Sequence, residues 1–324
     1  MTCKMNMLPS IQEALANMPY PTRPEGLYEP IRYVLDMGGK RLRPALMLLA
    51  YSLYRDDVDC VMPAAIGLET YHNHTLLHDD LMDHADMRHG RATVHKKWDA
   101  NTAILSGDTM LIMAFEKFLE YAGPHSDEIV RLFAHTAREI CEGQQYDVNF
   151  ETRTDVTIEE YIEMIRLKTS VLLACAAKVG ALAADAPKAD ADALYRFAEK
   201  LGLAFQVQDD YLDVYGDPRV FGKKNGGDIL CGKKTFLLIH ALQRADEATR
   251  HTLLSTPADP NLTDEEKIST VTAIYNALGI PQLTLEAIDA FYAEAHHNLL
   301  QTSLGEAGCK PLWDYACSLL GRNK

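Results

Sequence analysis

The segment His78-Asp79-Asp80-Leu81-Met82-Asp83-His84-Ala85-Asp86 follows a stretch of periodic apolar residues that begins near Met62. On a helix, spacings of seven, four and three residues place side chains on one face. These spacings separate His72, Asp79, Asp83 and Asp86. The segment therefore predicts a helix with a strip of concentrated negative charge along one face.

A second acidic cluster has offsets of three, one and three, which again predict one helical face. Its members are Gln206, Asp209, Asp210 and Asp213. Carboxylates beside apolar residues such as Phe205 and Val207 are costly unless a cation neutralises them. Mg²⁺ suits such a cluster, because it binds through a few carboxylates while phosphate oxygens complete its shell. A solvated acidic face is the alternative, and the presence of two clusters disfavours it.

The positions of proline and of apolar residues favour an all-α fold. Interior proline breaks a helix, and the chain has none between Pro63 and Pro124 or between Pro124 and Pro187. Strand signals are sparse, whereas apolar residues recur at spacings of three and four. Because no linker or repeat divides the chain, we predict a single helical domain over residues 1–324. Within it, residues 1–27 would be an N-terminal extension and residues 236–324 packing helices.

Several helix boundaries follow from local signals. Ser126 begins one helix, and Thr157 with Glu160 forms a capping box before another. A third helix is predicted from about Asp192 to a stop at residues 216–218. Gly143 predicts a stop or a kink in the first of these helices.

Cationic segments with glycines accompany both acidic clusters. Gly38-Gly39-Lys40-Arg41-Leu42-Arg43-Pro44 precedes an apolar helix that starts near Ala45. The first N–H groups of that helix, with the Lys and Arg side chains, predict a diphosphate cradle. Residues 88–91 follow the first cluster, and residues 223–235 follow the second. Lys168 lies in a helix that otherwise resembles core, where it forms either a buried ion pair or a phosphate contact.

The composition limits the partners of the chain. Its 324 residues include 46 acidic and 32 Lys or Arg side chains, and the formal charge of −14 disfavours nucleic acid as a partner. Seven scattered cysteines predict neither a disulfide framework nor a zinc site. The N-terminus lacks an apolar signal region, and the apolar runs are shorter than a membrane span. We therefore expect a cytoplasmic protein without integral membrane association.

From Tyr28 to about Thr235, the chain resembles the trans-isoprenyl diphosphate synthases, the polyprenyl synthetase family of farnesyl and geranylgeranyl diphosphate synthases. Residues 38–44 resemble its GGKRxRP segment, residues 79–83 its first aspartate-rich motif, and residues 206–213 its FQxxDDxxD motif. Lys168-Thr169 and residues 222–233 also match. The resemblance implies a bundle of long helices around a deep central cavity, with the two aspartate motifs facing each other at its mouth. It also implies a homodimer.

The resemblance implies an activity and a role for each matched residue. The activity is a Mg²⁺-dependent 1'-4 condensation of isopentenyl diphosphate with dimethylallyl, geranyl or farnesyl diphosphate, with three Mg²⁺ ions bound. The diphosphate of isopentenyl diphosphate would be bound by Lys40, Arg43 and His72. The allylic diphosphate would be contacted by Arg88, Lys168, Lys223 and Lys233. The principal Mg²⁺ ligands would be Asp79, Asp83 and Asp209, supported by Asp80, Asp210 and Asp213. The catalytic residues would be Lys168, Thr169 and Gln206, the last two lining the reacting carbons.

Two positions need separate comment. The family pattern has a second arginine after Arg88, and this chain has His89, so His89 or the neighbouring Arg91 would contact isopentenyl diphosphate. The resemblance places the floor of the product cavity one helical turn before the first motif, at His74 and Thr75. Histidine is intermediate in size, which predicts a farnesyl- or geranylgeranyl-sized product, with the larger one favoured.

Two other functions remain open on the sequence. A class I terpene cyclase shares the helical fold and one aspartate-rich motif, but it would need neither the Lys40 and Arg43 cradle nor the second Asp cluster. A noncatalytic regulatory subunit of a prenyl diphosphate synthase would be expected to have lost some of these residues. His89 is the one departure that keeps this second alternative open.

Overall fold

The computed structural model describes residues 7–217 and 225–320, and helices dominate these residues, so the predicted all-α class is confirmed. In chain order the α-helices are α1 (Leu8–Ala16), α2 (Glu25–Leu35), α3 (Leu42–Ser52), α4 (Met62–Met82), α5 (Val94–Lys97), α6 (Ala100–Glu120), α7 (Ser126–Glu151), α8 (Ile158–Ile165), α9 (Val171–Ala183), α10 (Lys188–Tyr215), α11 (Gly227–Leu230), α12 (Phe236–Arg244), α13 (Glu247–Ser255), α14 (Asp264–Ala277), α15 (Ile280–Leu299) and α16 (Gly305–Leu320). Two short strands, β1 (Met87–Arg88) and β2 (Arg91–Ala92), pair antiparallel. No helix in the described ranges is long and apolar enough to cross a membrane.

Contacts divide the chain into two compact units. Unit 1 contains, among the described residues, 7–134, 175–194 and 307–312. Unit 2 contains, among the described residues, 135–174, 195–217, 225–306 and 313–320. The predicted single domain over residues 1–324 stays a prediction.

Helix α4 is the central helix of unit 1. Helices α1, α2, α3 and α6 all contact it, and α6 contacts it most extensively. Gly67 explains how close α6 comes, because a Cβ atom added there would lie 2.9 Å from the carbonyl oxygen of Ala114. Most of α4 is therefore buried, and its polar C-terminal turn lies at the edge of this packed layer.

Unit 2 has its own apolar core. Side chains from α8, α10, α12 and α15 contribute, among them Tyr161, Val207, Leu237 and Ile280. Burying side chains of this size stabilises a fold by roughly 1.5 to 3 kcal/mol each. The core thus holds α10, the helix that carries the second acidic cluster.

The structure confirms most of the predicted helix boundaries. Helix α7 starts at Ser126, the capping box of Thr157 and Glu160 is present, and α10 begins at Lys188, a few residues before the predicted start. Of the stop or kink predicted at Gly143, the stop is wrong, because α7 continues to Glu151. Close packing explains this glycine, since a Cβ atom there would lie 2.3 Å from the backbone nitrogen of Lys168.

The predicted strip on α4 is also shorter than expected. The helix ends at Met82, Asp83 is its C-cap, and His84 adopts a left-handed conformation with φ +54°. Asp86 therefore lies beyond the helix, where it pairs with Lys96 at 2.9 Å. The prediction that Asp86 shares the helical face of Asp79 is wrong, because the chain turns before reaching it.

Candidate active site

The loop between α2 and α3 separates the three cations that the sequence grouped together. Gly38, Gly39 and Arg41 all have positive φ angles, of 80°, 138° and 47°. Their turn exposes Lys40, buries Arg41 and leaves Arg43 half-buried. Only Lys40 and Arg43 are thus placed as the predicted cradle requires. Arg41, which lies between them and was not assigned to the cradle, points its side chain into the core.

Arg43 contacts His72, a predicted partner in the same cradle. Its Nη1 lies 3.0 Å from Nε2 of His72. A guanidinium can only donate, so Nε2 accepts and the imidazole proton resides on Nδ1. Burial, and then the charge of Arg43, hold the pKa of His72 well below its usual range. His72 is therefore neutral, and it orients Arg43 by accepting a hydrogen bond.

The first aspartate motif ends α4, and its three carboxylates differ in exposure. Asp79 is half-buried, Asp80 is buried and Asp83 is exposed. Nε of Arg88 donates to both carboxylate oxygens of Asp80, at 2.9 and 2.8 Å. Nη2 of Arg88 also lies 4.0 Å from Asp79. Asp80 thus fixes Arg88 beside Asp79, in a position that suits the supporting role predicted for it.

His89 and Arg91 lie on the hairpin formed by β1 and β2, and they have different surroundings. His89 is exposed and adjoins the loop, because a Cβ atom on Gly39 would lie 3.7 Å from its Cε1. Arg91 instead stacks on the ring of Tyr33, 4.0 Å from the ring centroid. A cavity of about 10 Å³, room for about one water, is lined by Gly38 and His89 among others. The geometry therefore favours His89 over Arg91 as the residue next to the cradle.

The two predicted floor residues, His74 and Thr75, lie on α4. Nδ1 of His74 donates to the carbonyl oxygen of Gly107 on α6, at 2.9 Å. Thr75 is half-buried, and its hydroxyl donates to the carbonyl oxygen of His72 at 2.8 Å. His74 is thus anchored across two helices, which fixes the orientation of its ring.

Burial of His74 predicts a pH-dependent stability. Burial lowers its pKa to about 4 from an ordinary 6.5. Between these values the unfolded chain binds more protons, so the free energy of unfolding falls as pH falls. From pH 7 to pH 5 the loss due to His74 is about 2 kcal/mol. We expect urea denaturation of His74→Asn, which retains a donor for Gly107, to lack this part of the loss.

A matched control for this prediction is the exposed His251. His251→Asn should lose stability between pH 7 and pH 5 as the wild type does. Equal pH dependence of His74→Asn and the wild type would show that His74 is not held neutral by the fold.

In unit 2, Lys168 lies in a one-turn π-helix, Arg166–Ser170, between α8 and α9. Such turns are frequent at functional sites because they displace side chains from the regular helical positions. Nζ of Lys168 lies 2.6 Å from Oδ2 of Asp147. The predicted ion pair is therefore present in unit 2, where 23% of the Lys168 side chain is exposed.

A chain of hydrogen bonds connects Thr169 to Asp210. Thr169 donates to Oε1 of Gln206 at 3.0 Å, and Nε2 of Gln206 donates to Asp210 at 3.3 Å. Asp210 also accepts from the hydroxyl of Tyr161 at 2.6 Å and from the N–H of Phe236 at 3.0 Å. Tyr161 and Phe236 hold the Asp210 carboxylate in place, and that carboxylate accepts from the Gln206 amide nitrogen. The amide oxygen of Gln206 therefore faces Thr169.

Asp210 is buried, and this corrects the prediction of one common carboxylate face on α10. Asp209 is exposed, whereas burial and then the charge of Asp228 raise the pKa of Asp210 to about 7. Adjacent residues on a helix point about 100° apart, so one of the pair faces the core. Asp210 is therefore a buried acceptor for Tyr161, Gln206 and Phe236.

The remaining predicted residues of unit 2 surround Asp228. Oδ2 of Asp213 accepts from the N–H of Asp228 at 3.0 Å, and Nζ of Lys233 lies 4.0 Å from the Asp228 carboxylate. Burial and then Asp228 raise the pKa of Asp213. The predicted phosphate-binding residue Lys223 lies outside the described residues.

Carboxylates make up the whole predicted metal-binding set, which fits a hard cation such as Mg²⁺. In the described ranges, no three His, Cys, Asp or Glu side chains converge closely enough to hold a metal ion by themselves. Mg²⁺ is usually bound by one or two carboxylates together with substrate phosphates, rather than by a protein cage. The donor chemistry therefore fits Mg²⁺ that arrives with a diphosphate.

Sequence reasoning missed several residues that hold this machinery in place. Asp147 lies 21 residues before its partner Lys168, and Tyr161 lies 49 residues before its partner Asp210. Glu69 is buried against Arg41 without any local signal in the sequence. Asp228 was the one detectable member, because it lies within the glycine-containing cationic segment, residues 223–235, after the second cluster.

Comparison with known proteins decides the family. A family model described as polyprenyl synthetase matches residues 24–277. The chain belongs to this family. The resemblance that the aspartate motifs and the cationic segments predicted is thus confirmed.

Relatives within the polyprenyl synthetase family have short-chain names. A short chain isoprenyl diphosphate synthase of Methanocaldococcus jannaschii is 41% identical over 262 residues, which cover 81% of this chain and 79% of the relative. A geranylgeranyl diphosphate synthase of Methanosarcina mazei is 45% identical over 225 residues, 69% of each chain. A crystal structure of a geranylgeranyl pyrophosphate synthase covers 100% of both chains, with 43% identity and a TM-score of 0.93.

Proposed function

We propose that the chain is a Mg²⁺-dependent short-chain trans-prenyltransferase. It would join isopentenyl diphosphate to an allylic diphosphate by 1'-4 condensation and release farnesyl or geranylgeranyl diphosphate. The observation that carries the proposal is the cradle of Lys40, Arg43 and neutral His72. A terpene cyclase binds one diphosphate and needs no such second site. The names of the relatives agree with a prenyltransferase.

In the proposed mechanism, cationic residues bind both substrates. Lys40 and Arg43 neutralise the diphosphate of isopentenyl diphosphate, and the Nδ1–H of His72 donates to it. For the allylic diphosphate the proposed residues are Arg88, Lys168, Lys223 and Lys233. These cations stabilise the negative charge that grows on the departing pyrophosphate, and this electrostatic stabilisation lowers the barrier.

Thr169 and Gln206 act where positive charge develops. Oε1 of Gln206 accepts from Thr169, so both oxygens present partial negative charge to the allylic cation. The double bond of isopentenyl diphosphate then attacks the cation, and a proton is lost to the bound pyrophosphate. The chain therefore needs no dedicated side-chain base for this step.

The residues that would hold Mg²⁺ are Asp79, Asp83 and Asp209, with Asp80, Asp210 and Asp213 in support. Bound with the allylic diphosphate, Mg²⁺ supplies Lewis-acid stabilisation of the leaving group. Three ions is the number that the family resemblance implies. The ion pair of Asp80 with Arg88 and the hydrogen bonds on Asp210 support indirect roles for these two residues.

The experiment that tests the proposal is incubation of the purified chain with Mg²⁺, isopentenyl diphosphate and each allylic diphosphate, followed by sizing of the products. We expect prenyl diphosphates of farnesyl or geranylgeranyl length, the latter favoured by the size of His74. Conversion of the allylic substrate alone into a hydrocarbon would indicate a terpene cyclase. Unchanged substrates would indicate a noncatalytic subunit. Only much longer products would contradict the floor assigned to His74 and Thr75.

We also propose that the protein is a homodimer that pairs through α6. Apolar side chains on this helix are widely exposed, with Leu105 at 59%, Ile112 at 58% and Leu119 at 67%. Intervals of seven residues place these three on one side of the helix. An exposed apolar strip of this kind favours association, and a second copy of the chain presents the same strip.

If the protein pairs through α6, an aspartate introduced into the apolar strip should be buried in the interface and should separate the two copies. Ile112→Asp should convert the dimer to a monomer in light scattering after size-exclusion chromatography, with unchanged helix content. Leu285→Asp is the control, because Leu285 is an exposed apolar residue on α15 and should leave the dimer intact. A dimeric Ile112→Asp variant would exclude this face.

A cytoplasmic location and a single-domain organisation complete the proposal. Within the described residues no disulfide joins any two of the six cysteines, as is usual in a reducing compartment. Cooperative unfolding in one transition, seen equally by calorimetry and circular dichroism, would support one domain, whereas two separate transitions would oppose it.

A further inference from the structure

A buried ion pair joins the loop before α3 to helix α4. Nη1 of Arg41 lies 2.7 Å from Oε1 of Glu69, and each side chain is only 4% exposed. Nη2 of Arg41 donates to the carbonyl oxygen of Leu35, the last residue of α2, at 2.7 Å. Nδ2 of Asn73 donates to the same Glu69 oxygen at 3.2 Å. One guanidinium thus ties the loop to the end of α2 and to α4.

Stability alone does not account for this pair. Burying two charges costs about as much as their attraction returns, and well-packed apolar side chains often replace such pairs without loss. Nε of Arg41 and Oε2 of Glu69 are also buried without a hydrogen-bond partner in the described part of the chain. Arg41 is held besides in a left-handed conformation with φ 47°, which is unfavourable for a residue with a side chain. Burial of these atoms and the backbone conformation of Arg41 both disfavour the folded state.

The position of the pair indicates what it accomplishes. Arg41 lies between exposed Lys40 and half-buried Arg43 on the loop. Glu69 lies one helical turn before His72, which contacts Arg43 at 3.0 Å. The ion pair therefore fixes the distance between the two elements that supply the cradle.

We propose that Arg41 and Glu69 are positioning residues for the isopentenyl diphosphate cradle. Their ion pair holds Lys40 and Arg43 in register with His72, and neither side chain touches the substrate. The inference rests on the proposed function for the identity of the ligand. Its structural part, that the pair immobilises residues 38–43, stands apart from the ligand.

The test is the double variant Arg41→Met/Glu69→Met, which replaces both charges by side chains of similar length. Replacing both partners keeps the fold, so the urea midpoint should stay near that of the wild type. The KM for isopentenyl diphosphate should rise about 10- to 100-fold, because a shift of about 1 Å in binding groups has effects of this size. The KM for the allylic diphosphate should stay within about twofold. Hydrogen exchange of residues 38–43 should become faster.

Two further variants make the test decisive. Arg41→Lys keeps the charge but loses the two-pronged guanidinium that reaches both Glu69 and Leu35. It should raise the KM for isopentenyl diphosphate to the same extent, and it replaces the double variant in the test if that variant folds poorly. The control, Asp127→Met/Arg131→Met, removes an exposed ion pair on α7 and should change neither KM. Unchanged hydrogen exchange and unchanged KM for isopentenyl diphosphate in folded variants would overturn the inference. A wild type that neither binds nor consumes isopentenyl diphosphate would instead overturn the proposed function, and the hydrogen-exchange result would still decide whether the pair holds the loop.

Discussion

Asp79→Asn is expected to lower kcat by about three orders of magnitude, a loss of the size seen when a key electrostatic contact to the transition state is removed. Asp79 is half-buried at the end of α4, and Arg88 lies 4.0 Å from its carboxylate. The amide keeps the shape of the side chain but loses the charge that would bind Mg²⁺. Steady-state turnover at saturating Mg²⁺ measures the effect, and circular dichroism should show unchanged helix content.

Asp86→Asn is the matched control for this prediction. Asp86 belongs to the same acidic segment, but it lies beyond the helix and pairs with Lys96 at 2.9 Å. Its removal should change kcat by less than about twofold, since an exposed ion pair contributes little. Equal losses in the two variants would mean that the segment acts through its general charge and that Asp79 has no specific role.

Gly143→Ala is expected to destabilise the protein by about 1 to 3 kcal/mol and to lower kcat at the same time. The added Cβ would lie 2.3 Å from the backbone nitrogen of Lys168 and 2.8 Å from its Cα. Backbone atoms cannot rotate away as a side chain can, so α7 and the π-helical turn must separate. That separation would move Lys168 away from Asp147 and displace Thr169 from Gln206. Urea denaturation and steady-state kinetics measure the two effects.

Gly26→Ala provides the contrast for Gly143→Ala. Gly26 is exposed in the first turn of α2, and a Cβ atom added there meets nothing within 4 Å. Alanine is the better helix former, so stability should stay the same or rise by up to about 1 kcal/mol, with unchanged kcat. If Gly143→Ala behaves like Gly26→Ala, the close approach of α7 to Lys168 is not what requires glycine.

Features that depend on neighbouring residues could be predicted from the sequence. The capping box of Thr157 and Glu160 is present because its two hydrogen bonds join residues three apart. The same holds for the start of α7 at Ser126, where apolar periodicity and first-turn carboxylates agree. The chemical character of both acidic clusters could also be predicted, because residue type and spacing alone define them.

Features that depend on distant residues could not be predicted. Periodicity placed Asp210 with Asp209, but Tyr161 and Phe236 draw its carboxylate into the core from 49 and 26 residues away. Nothing near Arg41 in the sequence predicts that it is buried, because its partner Glu69 lies 28 residues later. Gly143 reads as a helix stop because nothing local reveals the backbone that packs against it. In each case a tertiary contact decides between two local possibilities.

The most direct test of the proposed condensation is its stoichiometry. The purified wild-type chain would be incubated with Mg²⁺, labelled isopentenyl diphosphate and unlabelled geranyl diphosphate. The amounts of released pyrophosphate and of label in the prenyl product would both be measured. Each new bond displaces one pyrophosphate from the allylic substrate, so we expect one pyrophosphate for each isopentenyl unit incorporated. Release of pyrophosphate without incorporation of label, or neither event, would contradict the assignment of Lys40, Arg43 and His72 to a second diphosphate substrate.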